Sequence, residues 1–248
     1  MLGLSHGVHT DTVGLAEIFS NLYSLQFNGS TESVQIDTVT SDMDNRYGSF
    51  LAWIKPENMS ASTTVVEASV DANNFIRLWW NEGNTRMKAT IKQGGTGSTA
   101  QDDSASHVAD DDSTWYHVAM TWDSTADGGN GEIKLYVNSV LQETTAIGGT
   151  WSGTLAAADI AKNSRSDTGY FKGYIDEVAI YKKALTPTQM STLYNGGSTL
   201  NYEFSAGNEN LIGYWRFTEG SGTSSVDESG EGNTGTLINT PTWSTETP

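Results

Sequence analysis

Four aromatic residues lie in short polar runs and are candidates for binding a sugar ring. They are Trp79, Trp80, Trp151 and Tyr170. Exposed aromatics beside Asn and Asp side chains are typical of sugar-binding surfaces. In the run NFIRLWWN, neighbouring strand residues point to opposite faces, so Trp79 and Trp80 cannot both lie in a core. One of them must lie on an outer face or under a loop; ordinary core packing is the alternative for each of the four.

Acidic side chains gather in several loops and offer hard oxygen ligands for a cation. The groups are Asp42, Asp44 and Asn45; Asp102 and Asp103; Asp110, Asp111 and Asp112; and Asp123, Asp127 and Asn130. Calcium takes about 6–8 oxygens from carboxylates, carbonyls and water, and none of these groups has the spacing of an EF-hand loop. Calcium is therefore a candidate cofactor, with plain solvated acidic loops as the alternative.

Motifs for catalysis are scarce. The chain has no HExxH, P-loop or dinucleotide-binding fingerprint. The run GLSHG at 3–7 has the form of a nucleophile elbow, but no strand precedes it, so we regard the match as accidental. His107 and His117 are isolated, and His117 is expected to be structural. The sequence predicts a protein that is not an enzyme, with an unusually arranged carboxylate pair of a glycoside hydrolase as an alternative.

The balance of charged residues indicates which partners suit this chain. Its 13 Lys and Arg residues against 30 Asp and Glu residues give a formal charge of −17 and a pI near 4.4. Such a surface repels nucleic acids and anionic membranes, and it suits cations or neutral partners such as glycans. Solubility in a salty medium explains the charge equally well.

The chain also lacks the marks of several compartments. Cysteine is absent, so no disulfide or thiolate site is expected. The first 21 residues contain no Lys or Arg, unlike a secretory signal. No apolar run reaches the roughly 18 residues that a membrane span needs. We expect synthesis in a cytoplasm without general export, which still allows use outside the cell after lysis.

The elements that must position these residues read as strands. From Tyr23 onward, short β-rich runs alternate with turns of Gly, Asn, Asp or Ser. Nine or more such strands predict an all-β, antiparallel two-sheet sandwich. Residues 1–22 are expected to form an N-terminal arm or edge strand, and residues 93–113 a long polar loop.

One short helix is predicted near 186–194, in LTPTQMSTLYNGG. Thr186 fits the N-cap, Pro187 the first helical position, and Gln189 completes a capping box. Met190, Leu193 and Tyr194 form one apolar face, and Gly196 is expected to end the helix.

Three motifs together resemble the laminin G-like, concanavalin A-like lectin/glucanase jelly-roll family. They are YSLQFNGSTESVQI, the hairpin that opens WYHVAMTW, and YFKGYIDEVAIYKKALTPTQMSTLYNGG, and they span residues 23–197. The resemblance implies a jelly-roll sandwich and, in many members, calcium bound at the sandwich rim or beside the closing strand. Asn28 stands where the family usually has Asp, so Asn28 and Asp176 are the implied metal ligands; an Asp176 carboxylate that accepts only backbone amides is the alternative. The Glu-x-Asp strand motif of the family's glucanases is absent.

The closing strand and the C-terminal segment carry further expectations. Strict alternation in GYIDEVAIY places Asp176 on the same face as Val178 and Ile180, buried near residues 26–30. Residues 198–248, with LIGYWRF, resemble a header that usually precedes the first strand. We interpret the domain as circularly permuted, with this segment completing the sandwich in cis; donation to another subunit is the alternative. Trp215 and Phe217 are the expected core pair, with Arg216 turning its face to solvent.

The sequence-based interpretation of function is a non-enzymatic virion structural or surface-decoration protein with a lectin-like jelly-roll. A short start, MLGLSHG, followed by one such domain is similar to structural proteins of marine tailed phages. Its expected partners are glycans or other virion proteins, without nucleic acid or membrane, and a homo-oligomer is compatible with the sequence. A secreted bacterial carbohydrate-binding module, which would be extracellular, is the alternative, followed by a glycoside hydrolase.

Overall fold

The protein is an all-β sandwich of two antiparallel eight-stranded sheets, as predicted. The computed structural model describes residues 20–102, 108, 110–199, 202 and 208–248, with the backbone alone at positions 84, 127 and 208. Most of the predicted N-terminal arm, at 1–19, therefore lies outside the described residues. The described part of the chain contains sixteen strands.

The strands follow the chain in this order: β1 Ser24–Asn28, β2 Ser33–Gln35, β3 Tyr47–Pro56, β4 Thr63–Asp71, β5 Asn74–Asn81, β6 Arg86–Gln93, β7 Thr96–Gln101, β8 Tyr116–Asp123, β9 Glu132–Val137, β10 Val140–Ala146, β11 Ala157–Ile160, β12 Lys172–Tyr181, β13 Leu211–Trp215, β14 Ser224–Ser225, β15 Gly235–Ile238 and β16 Thr242–Ser244. Helix α1 is one turn at Ala126–Gly129, and α2 spans Pro187–Tyr194. Short 3-10 turns lie at Asp37–Ser41, Glu82–Asn84 and Asn208–Asn210.

The first sheet has the order β10-β9-β8-β3-β12-β1-β16, and β13 also pairs with β12. The second sheet has the order β14-β15-β2-β11-β4-β5-β6-β7. Between them lies one large apolar core, which includes Phe50, Trp80, Trp122 and Trp215. A smaller apolar cluster lies on the outer side of the first sheet, where it includes Met190 and Leu193 of α2.

Helix α2 forms as predicted from its capping residues. The Thr186 hydroxyl accepts from the backbone N–H of Gln189, and the Gln189 side chain accepts from the N–H of Thr186. The residue that ends the helix in the left-handed conformation is Asn195 (φ 48°), one position before the predicted Gly196. Tyr194 then stacks on Trp53 with ring centroids 5.9 Å apart. The helix thus covers the outer side of the first sheet.

The sequence analysis predicted one long loop at 93–113, which is wrong, because this region contains strand β7. Gly94 and Gly95, with φ of 55° and 88°, form the turn that brings Thr96–Gln101 back along β6. Only Ser98 and Ala100 of this strand are buried. An edge strand with so few apolar residues carries no hydrophobic alternation that a sequence could show.

Strand β12 departs from simple alternation, so the predicted face of Asp176 is wrong. The register against β3 runs from Asp176 opposite Trp53 to Ala179 opposite Leu51, which leaves one extra residue on β12. This is a β-bulge, and Glu177 within it has φ 48°. Val178 therefore faces the main core, while Asp176 shares the outer face with Trp53.

The C-terminal segment adds strands to both sheets. Trp215 of β13 lies opposite Val178 of β12 in an antiparallel pairing. In the same segment, β15 pairs with β2 and β16 with β1. Trp215 and Phe217 are fully buried in the main core, as predicted. The circular-permutation interpretation of 198–248 stays a prediction.

Arg216 does not turn its face to solvent, which corrects the sequence expectation. Its guanidinium lies 3.6 Å from Glu177 and 3.2 Å from Glu228, and its side chain is only 12% exposed. The hydroxyl of Tyr214 donates to the Glu177 carboxylate on the same side. This face of β13 is therefore buried through ion pairing and hydrogen bonding.

Candidate functional site

The outer face of the second sheet carries three large side chains from β5. In this strand every second residue faces the core, so Ile76, Leu78 and Trp80 are buried. Phe75, Arg77 and Trp79 point the other way and are partly exposed. The question left open by the two adjacent tryptophans is thereby answered: Trp79 lies at the surface, and Trp80 is 2% exposed in the core.

Arg77 is held between the two aromatic rings. Its guanidinium carbon lies 4.9 Å from the ring centroid of Phe75 and 4.5 Å from that of Trp79. Its Nη1 donates to Asn163 Oδ1 at 3.0 Å, and its Nε lies 3.6 Å from Glu67 Oε2. Stacking and pairing of this kind fix a guanidinium in one orientation.

Strand β6 adds two lysines beside the same rings. In the register of β5 and β6, Lys88 lies opposite Trp79 and Lys92 opposite Phe75. Their Nζ atoms lie 5.3 Å and 5.8 Å from the respective ring centroids. The indole N–H of Trp79 donates to Thr90 Oγ1 at 2.9 Å, which fixes the ring. We call Phe75, Arg77, Trp79, Lys88 and Lys92 the β5–β6 strip.

A pocket of about 350 Å³ opens beside the strip. Its walls include Phe75, Arg77 and Lys92, together with Asp71 and Arg165. The loop after β11 forms one side and contributes Asn163, whose Oδ1 accepts from both Arg77 and the Thr64 hydroxyl. A shallow cleft with rings, amides and charges on rigid strands is suited to a polar ligand.

Two carboxyl groups lie under that loop, and the sequence analysis missed both. Glu67 and Asp159 are opposite each other on β4 and β11, and they are 5% and 3% exposed. Burial, together with the nearby charges of Asp37 and Glu67, raises the pKa of Asp159 to about 8. The charge of Lys162 opposes this shift. Glu67 Oε1 accepts from the backbone N–H and the hydroxyl of Ser164. An acidic residue on a strand gives no signal in the sequence that a distant loop will cover it.

The other predicted sugar-binding residues lie apart from the pocket. Trp151 packs partly against the main core, and its indole N–H donates to the carbonyl of Gly153 at 3.0 Å. Tyr170 donates through its hydroxyl to Asp167 at 3.3 Å. Of the four predicted aromatics, Trp79 alone belongs to the β5–β6 strip. Trp80 is in the core, which corrects its prediction as a sugar-binding residue, and a sugar-binding role for Trp151 and Tyr170 stays a prediction.

Asn28 and Asp176, the implied metal ligands, are not brought together. Asn28 lies opposite Lys172, four residues from Asp176 along β12, which corresponds to about 13 Å at 3.3 Å per residue. The Asn28 side chain caps its own turn by accepting from the N–H groups of Ser30 and Thr31. Asp176 is fully buried as predicted, but its nearest partner is Asn21 rather than residues 26–30.

The surroundings of Asp176 do not fit a calcium ion. One carboxylate oxygen accepts from the Asn21 amide at 2.8 Å and the other from the N–H of Glu177 at 2.9 Å. Among the described residues, no group of three or more His, Cys, Asp or Glu side chains is arranged to hold a metal ion. Of the loop candidates, Asp103 and the side chain of position 127 lie outside the described residues. Calcium binding stays a prediction.

His117 is buried on the outer side of the first sheet. Burial lowers its pKa to about 3, so the imidazole is neutral. Its Nε2 lies 3.2 Å from the hydroxyl of Tyr202, and its ring meets Trp53 edge-on at 5.3 Å. The contacts agree with the structural role expected for this residue. His107 lies outside the described residues.

The sequence comparison identifies the family. Residues 28–191 match the family described as the concanavalin A-like lectin/glucanases superfamily, so the chain belongs to it. No curated protein sequence matches the chain. In the described part of the chain, no helix is long and apolar enough to cross a membrane.

Solved structures with low sequence identity share the fold. A protein from Bacteroides ovatus ATCC 8483, described as a candidate carbohydrate-binding protein, has a TM-score of 0.61 at 15% identity. The alignment covers 91% of this chain and 60% of that protein, so this chain spans less than two thirds of its length.

Two smaller structures align over more of their own length. The CBM40 module of the Ruminococcus gnavus IT-sialidase, bound to α2,3 sialyllactose, has a TM-score of 0.55 at 15% identity, covering 71% of this chain and 100% of that module. Domain 4 of AbnA, a GH43 extracellular arabinanase from Geobacillus stearothermophilus, in complex with arabinotriose, has a TM-score of 0.50 at 24% identity, covering 69% of this chain and 76% of that domain.

Proposed function

We propose that this protein is a non-enzymatic carbohydrate-binding module whose ligand lies on the β5–β6 strip. The observation that carries the proposal is Trp79, a tryptophan on the outer face of a sheet with its indole N–H already bonded to Thr90. A large ring fixed at the surface beside a pocket provides a rigid contact area for a polar, flat ligand. A sugar residue meets that description.

The named relatives support this choice of ligand class. The Ruminococcus gnavus module and the AbnA domain share the fold and carry bound oligosaccharides in their structures. Those ligands belong to those proteins, and at 15% and 24% identity they identify no sugar for this chain. They support glycan binding as a use of this fold.

The arrangement of Glu67 and Asp159 favours binding over hydrolysis. Two neighbouring carboxyls beside a sugar site are what a glycoside hydrolase requires. Here Glu67 accepts two hydrogen bonds from Ser164 and faces Arg77, and Asp159 is 3% exposed. Glu67 lines the pocket but is held by Arg77 and Ser164, and Asp159 is not part of the pocket wall. A hydrolase remains the second candidate because the pair is adjacent.

For the biological setting, we propose a virion surface component, with a secreted bacterial module as the alternative. The ground is the sequence resemblance to virion proteins of marine tailed phages that carry a lectin-like domain. The two settings are separated by the neighbouring genes and by mass spectrometry of purified particles. Light scattering of the purified protein tests the expected homo-oligomer.

The test is affinity electrophoresis of the protein through gels that contain individual polysaccharides. Trp79→Ala should restore the free mobility in the gel that retards the wild type. Tyr174→Ala is the matched control, because Tyr174 is also partly exposed and also has a lysine over its ring, at 4.4 Å, but lies on the first sheet. Equal retardation of wild type and Trp79→Ala would overturn the site, and release of reducing sugar would favour the hydrolase.

A further inference from the structure

The β5–β6 strip is basic, although the whole chain is strongly acidic. Arg77, Lys88, Lys92 and the neighbouring Arg165 are four of the 13 Lys and Arg residues in a chain of charge −17. Among described residues, Lys88 and Lys92 form no ion pair; Lys92 donates to the carbonyl of Ala72. The overall charge favoured neutral partners, whereas this face concentrates cations.

The acidic groups near the strip lie beside Arg77 and the neighbouring Arg165 rather than beside the lysines of the strip. Glu67 lies under the loop after β11 and pairs with Arg77, whereas Asp71 accepts from the N–H of Asn73 and the amide of Asn74 at the hairpin. Burial lowers the pKa of Lys88, and the neighbouring charge of Arg86 adds to this effect. Within the described part of the chain, the face therefore presents two lysines with no carboxylate paired to them.

The spacing of the cations follows from the strand. Phe75 and Trp79 are four residues apart on β5, and Lys92 and Lys88 are their direct neighbours on β6. At about 3.3 Å per residue, the two ring–lysine pairs are separated by about 13 Å, with Arg77 between them. Because the cations lie over the rings, the strip meets a ligand through charge as well as through aromatic surface.

We infer that the ligand of this site is a linear polysaccharide with negative charges on repeating units, lying lengthwise along β5. This inference rests on the proposed function. A carboxylate or sulfate near the centre would accept from Arg77, and charges on either side would pair with Lys88 and Lys92. A single terminal acidic sugar would engage only one of these positions. Carboxylated and sulfated chains offer the same chemistry, so the experiment separates them.

The experiment measures affinity by isothermal titration for two matched pairs of probes. Polygalacturonate is compared with its fully methyl-esterified form, and dextran sulfate with dextran. We expect binding to the charged member of at least one pair, at least about tenfold tighter than to its neutral partner, which corresponds to about 1.4 kcal/mol. Binding should weaken as sodium chloride is raised, because exposed charges are screened.

Charge-changing variants connect this preference to the strip. The double variant Lys88→Gln and Lys92→Gln should lose most of the tenfold preference, while Lys182→Gln with Lys183→Gln, on the other sheet's side, should keep it. Thermal melts establish that each variant is folded. Because Gln keeps the Cβ and Cγ methylene groups of Lys but carries no charge, and the control pair loses the same atoms, a difference in affinity between the two double variants reports the charge of the strip.

Each result has one consequence. Binding of the neutral member with equal affinity, abolished by Trp79→Ala, would overturn the charge inference and leave the proposed function standing. Charged probes that bind equally to the double variant would overturn the assignment to this strip. Single-stranded DNA of similar charge density that binds more tightly than either polysaccharide would overturn the sugar specificity. Absence of binding to both charged polysaccharides, with Trp79-dependent retardation by a neutral polysaccharide in affinity electrophoresis, would overturn the charge inference alone.

Discussion

At the scale of single residues, the main finding is how the site combines charge with burial. Arg77 is largely buried, which lowers its pKa, while the carboxylate of Glu67 opposes that shift. Burial in turn raises the pKa of Glu67, and Arg77 and Ser164 oppose that effect. The two groups therefore stabilise each other's ionised forms, and the aromatic rings fix the guanidinium. Asp159, next to Glu67, lacks such a close cation.

Asp159 is expected to make stability depend on pH. Between its ordinary value of 3.8 and about 8, the folded carboxyl keeps a proton that the unfolded chain has lost. The contribution of Asp159 to the free energy of unfolding is therefore fully present below pH 3.8 and is lost as the pH rises towards 8. The pKa of Glu177 is also raised to about 8, so its contribution to the free energy of unfolding falls with rising pH in the same way. The lowered pKa of His117 has the opposite effect, which is confined to pH values below 6.5.

The variant Asp159→Asn isolates this effect between pH 6.5 and 8. We expect the decline in unfolding free energy with pH to become shallower by up to about 1.4 kcal/mol per pH unit, the value for one proton. Urea titrations at four pH values measure it. Asp167→Asn, at an exposed neighbouring carboxyl, is the control and should leave the slope unchanged. Equal slopes for wild type and Asp159→Asn would contradict the assignment.

At the scale of elements, local periodicity predicted strands but not their interruptions. Alternation in β5 correctly placed Trp79 and Trp80 on opposite faces, although it could not say which was outside. In β12, the bulge at Glu177 reversed the faces of the residues before it. The residue with positive φ is a glutamate rather than a glycine, so the sequence did not indicate a bulge. Asn163 and Ser164 reach the site from a loop more than 80 residues away from β5, which only tertiary contacts reveal.

Strand β13 is expected to contribute much of the stability. Trp215 is fully buried, and its indole N–H donates to the carbonyl of Asn233 at 2.8 Å. Trp215→Ala should cost about 3–5 kcal/mol, the range for removing a large aromatic from a core. Trp243→Ala is the matched control, because that ring is only partly buried, and it should cost clearly less. Equal losses in urea unfolding would show that β13 is peripheral.

Removal of the segment after Gly197 should have a larger effect than either substitution. It would take β13 from β12, β15 from β2 and β16 from β1, and expose strand edges in both sheets. Such edges favour aggregation. Size-exclusion chromatography should show soluble aggregates or loss of the protein. A monomeric, equally stable product would show that residues 198–248 are an appendage.

At the scale of the whole molecule, the two outer faces differ. Helix α2 and the apolar cluster that includes Met190 and Tyr214 cover much of the first sheet. The second sheet keeps its cations and rings partly exposed on an otherwise acidic protein. The basic strip attracts an anionic polymer while the acidic remainder of the surface repels it, so the polymer is directed to the second sheet.

Glycan binding at this face is expected to be independent of calcium. The strip supplies cations and rings, and its nearest carboxylate, Glu67, is already paired with Arg77. Titrations in chelator and in millimolar calcium should therefore give the same affinity. Affinity that disappears in chelator would contradict a binding site built from the strip alone. Melting curves recorded under the same two conditions test whether the acidic loops bind calcium.

The most direct test of the central claim follows the indole N–H signals of the eight tryptophans by NMR during titration with oligogalacturonate. The Trp79→Phe variant assigns the signal of Trp79. If a glycan binds on the outer face of the second sheet, that signal should shift progressively, while those of buried Trp53, Trp80, Trp122 and Trp215 should stay in place. Shifts confined to Trp151 or Trp243, with the Trp79 signal unmoved, would contradict the account.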